Sequence, residues 1–212
     1  MHFYTMNWSK KGVKNIIFDL GEVITDIHFE ETKAAFEKLT GGDVSELYET
    51  KMHTELFEKL ETAEISPEYF LEQLQKYFGK NATTNQVKDA WNIMIGETPW
   101  KRLEFVNDLR PKYKTFILSN TNPIHIDYLN IALKEKYNIE NLNPFFDKVY
   151  YSHDLGFRKP NAEIYLKVLE KEGLLAAETL FIDDRLDNIE AAAKLGIQTF
   201  HLVDKGDLFG IK

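Results

Sequence analysis

Asp19, Ser119, Lys159 and the adjacent pair Asp183 and Asp184 are side chains that can act on one substrate together. Asn15-Ile16-Ile17-Phe18 leads into Asp19, and Thr115-Phe116-Ile117-Leu118 leads into Ser119 and Asn120. Leu180-Phe181-Ile182 leads into Asp183 and Asp184, and Arg158-Lys159 lies just past Lys148-Val149-Tyr150-Tyr151-Ser152. Short apolar runs of this kind read as buried parallel strands. The carboxyl ends of parallel strands share one edge, which is where open α/β sheets bind ligands. Residues far apart in sequence therefore converge.

Their types define the chemistry. Asp19 and Asp184 are hard oxygen donors suited to Mg2+, which keeps several waters and takes one or two carboxylates plus substrate phosphate. The Gly21 carbonyl can add a further oxygen. The Ser119 hydroxyl and Lys159 can hold phosphate oxygens, with Asn120 and Arg158 beside them as further phosphate or substrate contacts. Asp19 can then attack phosphorus to give an aspartyl-phosphate that water hydrolyses, with lysine and metal balancing the transferring charge. Asp183 either shares the metal or supports it from behind, and Asn188 steadies the acidic loop. Each residue alone has a plainer reading: Ser119-Asn120 as a helix cap, Lys159 as a solvated lysine, Asp183-Asp184 as a capping pair. Their convergence at four strand ends is what argues for a site. His28, His125, His153 and His201 have no metal-ligand spacing, which disfavours zinc.

The elements that must position these groups alternate strand and helix. Helices are expected over Ile124–Tyr137 and Ala162–Glu172, and another with Ile189, Ala192, Ala193 and Leu195 stops at Gly196. The last strand is 198–202. This is an α/β fold with a Rossmann-like parallel sheet and helices on both faces. Residues 28–96 break the alternation. Four amphipathic segments follow one another there, with stops or caps at Gly41-Gly42, Asp43, Ser66-Pro67 and Thr83 or Thr84. They read as an inserted α-helical bundle, a cap domain at 28–96, with the core at 1–27 and 97–212. The aromatics in it read as packing.

The chain has 212 residues, no cysteine, a net charge of −8 and a pI near 5.3. The missing cysteines exclude disulfides, Cys-zinc sites and a thiol nucleophile. The acidic surface disfavours nucleic acid. No apolar run has membrane-span length, and residues 1–14 do not read as a signal peptide. A cytoplasmic monomer or homodimer acting on a small phosphorylated metabolite is expected, with no nucleic-acid or membrane partner.

The order of motifs resembles the haloacid dehalogenase (HAD) superfamily. They are Phe18-Asp19-Leu20-Gly21-Glu22-Val23, Leu118-Ser119-Asn120-Thr121, Asp154-Leu155-Gly156-Phe157-Arg158-Lys159-Pro160, and Phe181-Ile182-Asp183-Asp184-Arg185-Leu186-Asp187-Asn188. The helical insert matches the cap that many members carry after the first motif. The form of that motif is most similar to bacterial sugar-phosphate phosphatases of the glucose-1-phosphatase type. The resemblance implies a magnesium-dependent phosphatase with Asp19 as nucleophile. One departure stands out: most phosphatases of the superfamily carry an acid two residues after the nucleophile, where this chain has Gly21. General acid–base help is worth about 10²–10⁴ in rate. Its loss points to a good leaving group, such as the anomeric hydroxyl of a sugar 1-phosphate, or to a substitute such as Glu22, Asp26, a cap residue or water. Alternatives are a 2-haloacid dehalogenase, against which the acidic pair argues, and a catalytically weak binding or regulatory protein. A receiver domain uses similar groups in the reverse order.

Overall fold

The computed structural model describes residues 12–45, 47, 51–79 and 82–211, with the backbone alone at 51–54. The expected lead-in at 1–13 lies almost entirely outside them, as does Tyr48 of the expected second helix. Five strands, β1 (Asn15–Phe18), β2 (Lys114–Ser119), β3 (Lys148–Tyr151), β4 (Thr179–Asp183) and β5 (Gln198–His201), form one parallel sheet in the order β3-β2-β1-β4-β5. The order reverses at β1, so the crevice of a doubly wound sheet opens at the end of the strand that carries Asp19. In register, Phe18 pairs with Ile117 and with Ile182, which puts the residues after them side by side.

Alternation along β1 builds both faces. Ile16 and Phe18 pack with Ile117, Leu180 and Ile182 against Leu103 and Val106 of α5 (Trp100–Leu109) and Leu129 and Leu133 of α6 (Pro123–Tyr137). Ile17, Phe116 and Phe181 face the other way, onto Ile164, Tyr165 and Val168 of α8 (Ala162–Glu172) and Ile189 and Ala192 of α9 (Leu186–Lys194). A four-residue helix, α7 (Ser152–Leu155), directly follows β3. Helix α5 and α7 have no counterpart in the sequence reading. Among the described residues no helix is long and apolar enough to cross a membrane.

Between β1 and α5 lie helices α1 (Phe29–Thr40), α2 (Lys51–Glu61), α3 (Pro67–Phe78) and α4 (Thr84–Asn92). Ser66 caps α3 by accepting from the Tyr69 amide, with Pro67 at its first position. Thr83 and Gln86 close a reciprocal capping box on α4. Phe36, Val44, Leu60, Phe70, Leu74, Val87 and Trp91 form a separate apolar cluster, joined by Ile124 from α6. The chain enters and leaves this bundle side by side. The Asp26 amide donates to Glu97 O, the Gly96 amide to Asp26 O and the His28 amide to Met94 O, at 2.8–2.9 Å. The connection is braced from below: buried Arg102 donates to Asp26 Oδ1 at 2.9 Å and to Ile24 O at 3.3 Å.

Candidate active site

Asp19 begins the loop after β1. Its amide donates to Ile182 O, continuing the sheet for one more residue, and its Oδ1 accepts from the Leu20 amide at 2.7 Å. Oδ1 also receives the Lys159 ammonium at 2.7 Å. The same Nζ lies 2.7 Å from Asp183 Oδ2. Lys159, expected beside the strand ends, is thus fully buried between two carboxylates. Burial works against its charge, but Asp183 and Asp19 outweigh that and hold it above the usual lysine value.

A strut sets the height of that lysine. Asn120 Oδ1 accepts from the Lys159 amide and Asn120 Nδ2 donates to the Lys159 carbonyl, both at 2.8 Å. A cis peptide joins Lys159 to Pro160. Asn120 therefore spends its amide on the lysine backbone. Ser119, at the end of β2 and 3% exposed, lines the cavity, and the only hydrogen bond of its hydroxyl among the described residues is a 3.5 Å contact with Asn120 O.

Asp183 and Asp184 differ in environment. Asp183 is completely buried, and donors fill both of its oxygens: Lys159 Nζ, the Arg185 amide at 2.8 Å and Asn188 Nδ2 at 3.0 and 3.1 Å. Tyr165 donates to Asn188 O and braces that side. Asp184 is half-buried and lines the cavity, and among the described residues no other side chain satisfies its carboxylate. Its carbonyl is held by His201 Nε2 at 2.8 Å.

Asp19, Asp183 and Asp184 each place an oxygen within 4.8 Å of the others. Burial, with Asp183 and Asp184 nearby, pushes the Asp19 carboxyl up to about 7 against the pull of Lys159. Burial and Asp183 also raise Asp184. Crowded carboxylates repelling one another in a buried pocket are stabilised by a cation of high charge density. The donor set fits magnesium: among the described residues no side chain fills Asp19 Oδ2 or the Asp184 carboxylate, both hard oxygen donors. The Gly21 carbonyl accepts from the Val23 amide at 2.7 Å, which leaves one lone pair.

These groups line a cavity of about 600 Å³ between the sheet edge and the helical insert. A cavity of about 720 Å³ lies on the insert alone and touches none of them. The insert contributes Glu58, Glu61, Trp91 and Met94 to the sheet-edge cavity. Arg158 lines it too, but its guanidinium is turned toward the insert: Nη1 meets Glu58 and Nε donates to Glu61 Oε2 at 2.9 Å. Arg185 pairs with Asp187 on the rim. His125, weighed in sequence only as a metal ligand, stacks on Trp91 with centroids 4.5 Å apart. Its Nε2 meets Trp91 O at 3.1 Å and its Nδ1 meets Asn122 Nδ2 at 3.2 Å. An Nε2–H tautomer satisfies both contacts.

Neither substitute that the sequence offered near Gly21 is available. Asp26 is bound by Arg102 and Lys205. Burial raises its carboxyl, but those hydrogen bonds prevail and hold it below the usual range. Glu22, at φ +59°, gives Oε1 to the Ile27 amide at 2.6 Å and Oε2 to Lys205 at 2.5 Å.

The sequence profile of haloacid dehalogenase-like hydrolases matches residues 13–196. The D-ribitol-5-phosphate phosphatase of Bacteroides thetaiotaomicron is 34% identical over 190 residues, 89% of this chain and 91% of that one. A HAD family enzyme of the same organism, solved with magnesium and inorganic phosphate, superposes with a TM-score of 0.80 at 30% identity, over 90% of this chain and 94% of its own. A HAD-like family hydrolase of Porphyromonas gingivalis gives 0.80 at 37% identity, over 90% and 91%. The profile spans most of the chain and these relatives cover about nine-tenths of it: the protein belongs to the haloacid dehalogenase-like hydrolase family.

Proposed function

We propose that this enzyme is a magnesium-dependent phosphatase of small sugar or polyol phosphates that works through an aspartyl-phosphate on Asp19. The observation that carries the reading is the buried Lys159 ammonium shared by Asp19 and Asp183, with the unfilled Asp184 carboxylate beside it at the cavity floor. Magnesium bound by Asp19, Asp184 and the Gly21 carbonyl would neutralise phosphate charge and lower the Asp19 carboxyl into its ionised range.

The protein's own groups then have separable tasks. The Asp19 carboxylate attacks phosphorus, and Lys159 and the Leu20 amide, both on its Oδ1, fix its orientation. Lys159 and the Ser119 hydroxyl hold phosphate oxygens. Asp183, with all its lone pairs occupied, acts on the lysine rather than on the substrate, and Asn188 fixes Asp183. Asn120 sets Lys159 through its backbone. The bundle at 28–96 serves as the cap that closes over the site and selects the rest of the substrate.

The sequence pointed to a sugar 1-phosphate because Gly21 brings no acid. The Bacteroides relative is named for ribitol 5-phosphate, an ester of a primary alcohol. We take the polyol and sugar phosphates of that kind as the substrate class. Phosphate release from a panel of polyol phosphates, sugar 1-phosphates and nucleotides, with magnesium or with chelator, tests this. Release from polyol or sugar phosphates that stops with chelator is expected. Metal-independent turnover, or turnover of haloacids alone, would overturn it.

A further inference from the structure

A primary alcohol is a poor leaving group, and among the described residues the sheet edge brings it no free carboxyl besides Asp184, which is assigned to the metal. Glu22 and Asp26 are tied to Lys205, and Gly21 has no side chain. Asp183 is saturated with donors. The insert does bring carboxyls into the cavity, from α2. Glu58 and Glu61 stand three residues apart on one helix face, and both line the cavity that holds Asp19.

Both reach the same guanidinium, that of Arg158. One positive charge faces two carboxylates, so the cluster would be net negative if both ionised. Their surroundings differ. The Glu58 side chain is 44% exposed and that of Glu61 is 23% exposed. Arg158 engages only Oε2 of Glu61, and among the described residues no donor reaches Oε1. The charged groups facing Glu61 are Glu58 on its own helix and Arg158 and Lys159 on the loop below. Burial, with Glu58 adding, pushes the Glu61 carboxyl up in spite of Arg158. Two carboxylates sharing one partner divide the proton in favour of the more buried one.

Resting on the phosphatase reading above, we propose that Glu61, delivered by the helical insert, is the general acid that replaces the side chain missing at Gly21. When Asp19 attacks phosphorus, the bond from phosphorus to the leaving oxygen breaks. That oxygen keeps the electron pair and takes the proton from Glu61, leaving Asp19 phosphorylated and Glu61 ionised. Water then attacks phosphorus, the bond to Asp19 breaks and returns its electron pair to the Asp19 carboxylate, and inorganic phosphate departs with the surplus proton passed to solvent. Glu61 regains its proton from solvent before the next turnover. Arg158 orients Glu61 throughout, so acid and nucleophile come together only when the insert is seated on the Lys159 loop.

The test is Glu61→Gln, assayed with magnesium on a polyol phosphate and on p-nitrophenyl phosphate, whose nitrophenolate leaves without a proton. The expected result is a loss of about 10²–10⁴ in kcat on the polyol phosphate with KM little changed, and wild-type turnover of the nitrophenyl ester. Equal partial losses on both esters, a rise in KM alone, or no change would overturn the assignment. Retained nitrophenyl turnover also shows that the variant folds. Should it lose both activities, Glu61→Asp decides: a recovery confined to the nitrophenyl ester restores the assignment, and parallel recovery sinks it. If the wild-type enzyme hydrolyses neither ester, the phosphatase reading itself has failed.

Discussion

His125 makes acid sensitivity a calculable property of this fold. It is 5% exposed, stacked on Trp91 and bonded to Trp91 O and Asn122, and burial lowers its pKa from 6.5 to about 4. The folded value lies below the unfolded one. Between the two, the unfolded chain binds the extra proton, so stability is fully present above pH 6.5 and is lost as pH falls toward 4. At about 1.4 kcal/mol per pH unit, the shift corresponds to roughly 3 kcal/mol. Protonation also removes the acceptor at Nδ1 that Asn122 uses, and strikes where α6 meets α4 of the insert. Urea unfolding of the magnesium-free protein at pH 7 and pH 4.5, for wild type and His125→Gln, reads this directly. The variant starts lower at pH 7, having lost the stacking. Over the same interval the wild type should lose about 2–3 kcal/mol more than the variant. Acids that titrate in both proteins cancel in the comparison. Parallel pH profiles would refute the reasoning.

Other perturbations follow from the same geometry. Lys159→Met leaves Asp19 and Asp183 facing each other in a buried pocket, and should cost about 3–5 kcal/mol in urea unfolding, part of it recovered by magnesium; a loss below about 1 kcal/mol would contradict the shared-ammonium picture. Gly96→Ala would put a Cβ 2.8 Å from the Asp26 carbonyl oxygen and 2.7 Å from His28 Nε2. Because backbone cannot swing aside, we expect thermal unfolding to report a cost of about 1–3 kcal/mol, with turnover reduced through the displaced linkers. Asp184→Asn should raise the magnesium concentration needed for half-maximal activity by at least about tenfold, while its chelator-treated stability stays near wild type; an unchanged magnesium requirement would move the metal elsewhere.

The strand-end groups were legible because their signal is local. An apolar run with a polar residue at its end marks both the strand and the place where the crevice opens, and in β1, β2 and β4 the two coincide. The capped helices α3 and α4 were legible for the same reason, through Ser66-Pro67 and Thr83. Helix α5 was not read, although Pro99 precedes it and Leu103, Val106 and Leu109 recur at steps of three. Arg102 interrupts that apolar stripe, and only the fold explains it, as a buried donor to Ile24 and Asp26. Arg158 is the plainest case of information absent from the local sequence. Next to Lys159 it looks like a phosphate contact, yet its partners lie 97 and 100 residues earlier, in α2. His125 likewise gave no signal, because a buried, neutral histidine is defined by Trp91 and Asn122 rather than by spacing to other histidines. The separation of Asp183 from Asp184 needed the donors around them, which come from Lys159, Arg185 and Asn188.

The central claim is that Asp19 carries the reaction, and the measurement that tests it most directly is phosphate release by Asp19→Asn beside wild type, with magnesium and a polyol phosphate. Asparagine keeps the shape and the place beside Lys159 but is a poor nucleophile. The account predicts a folded variant with no turnover above the uncatalysed rate. Retained phosphate release by Asp19→Asn would contradict it.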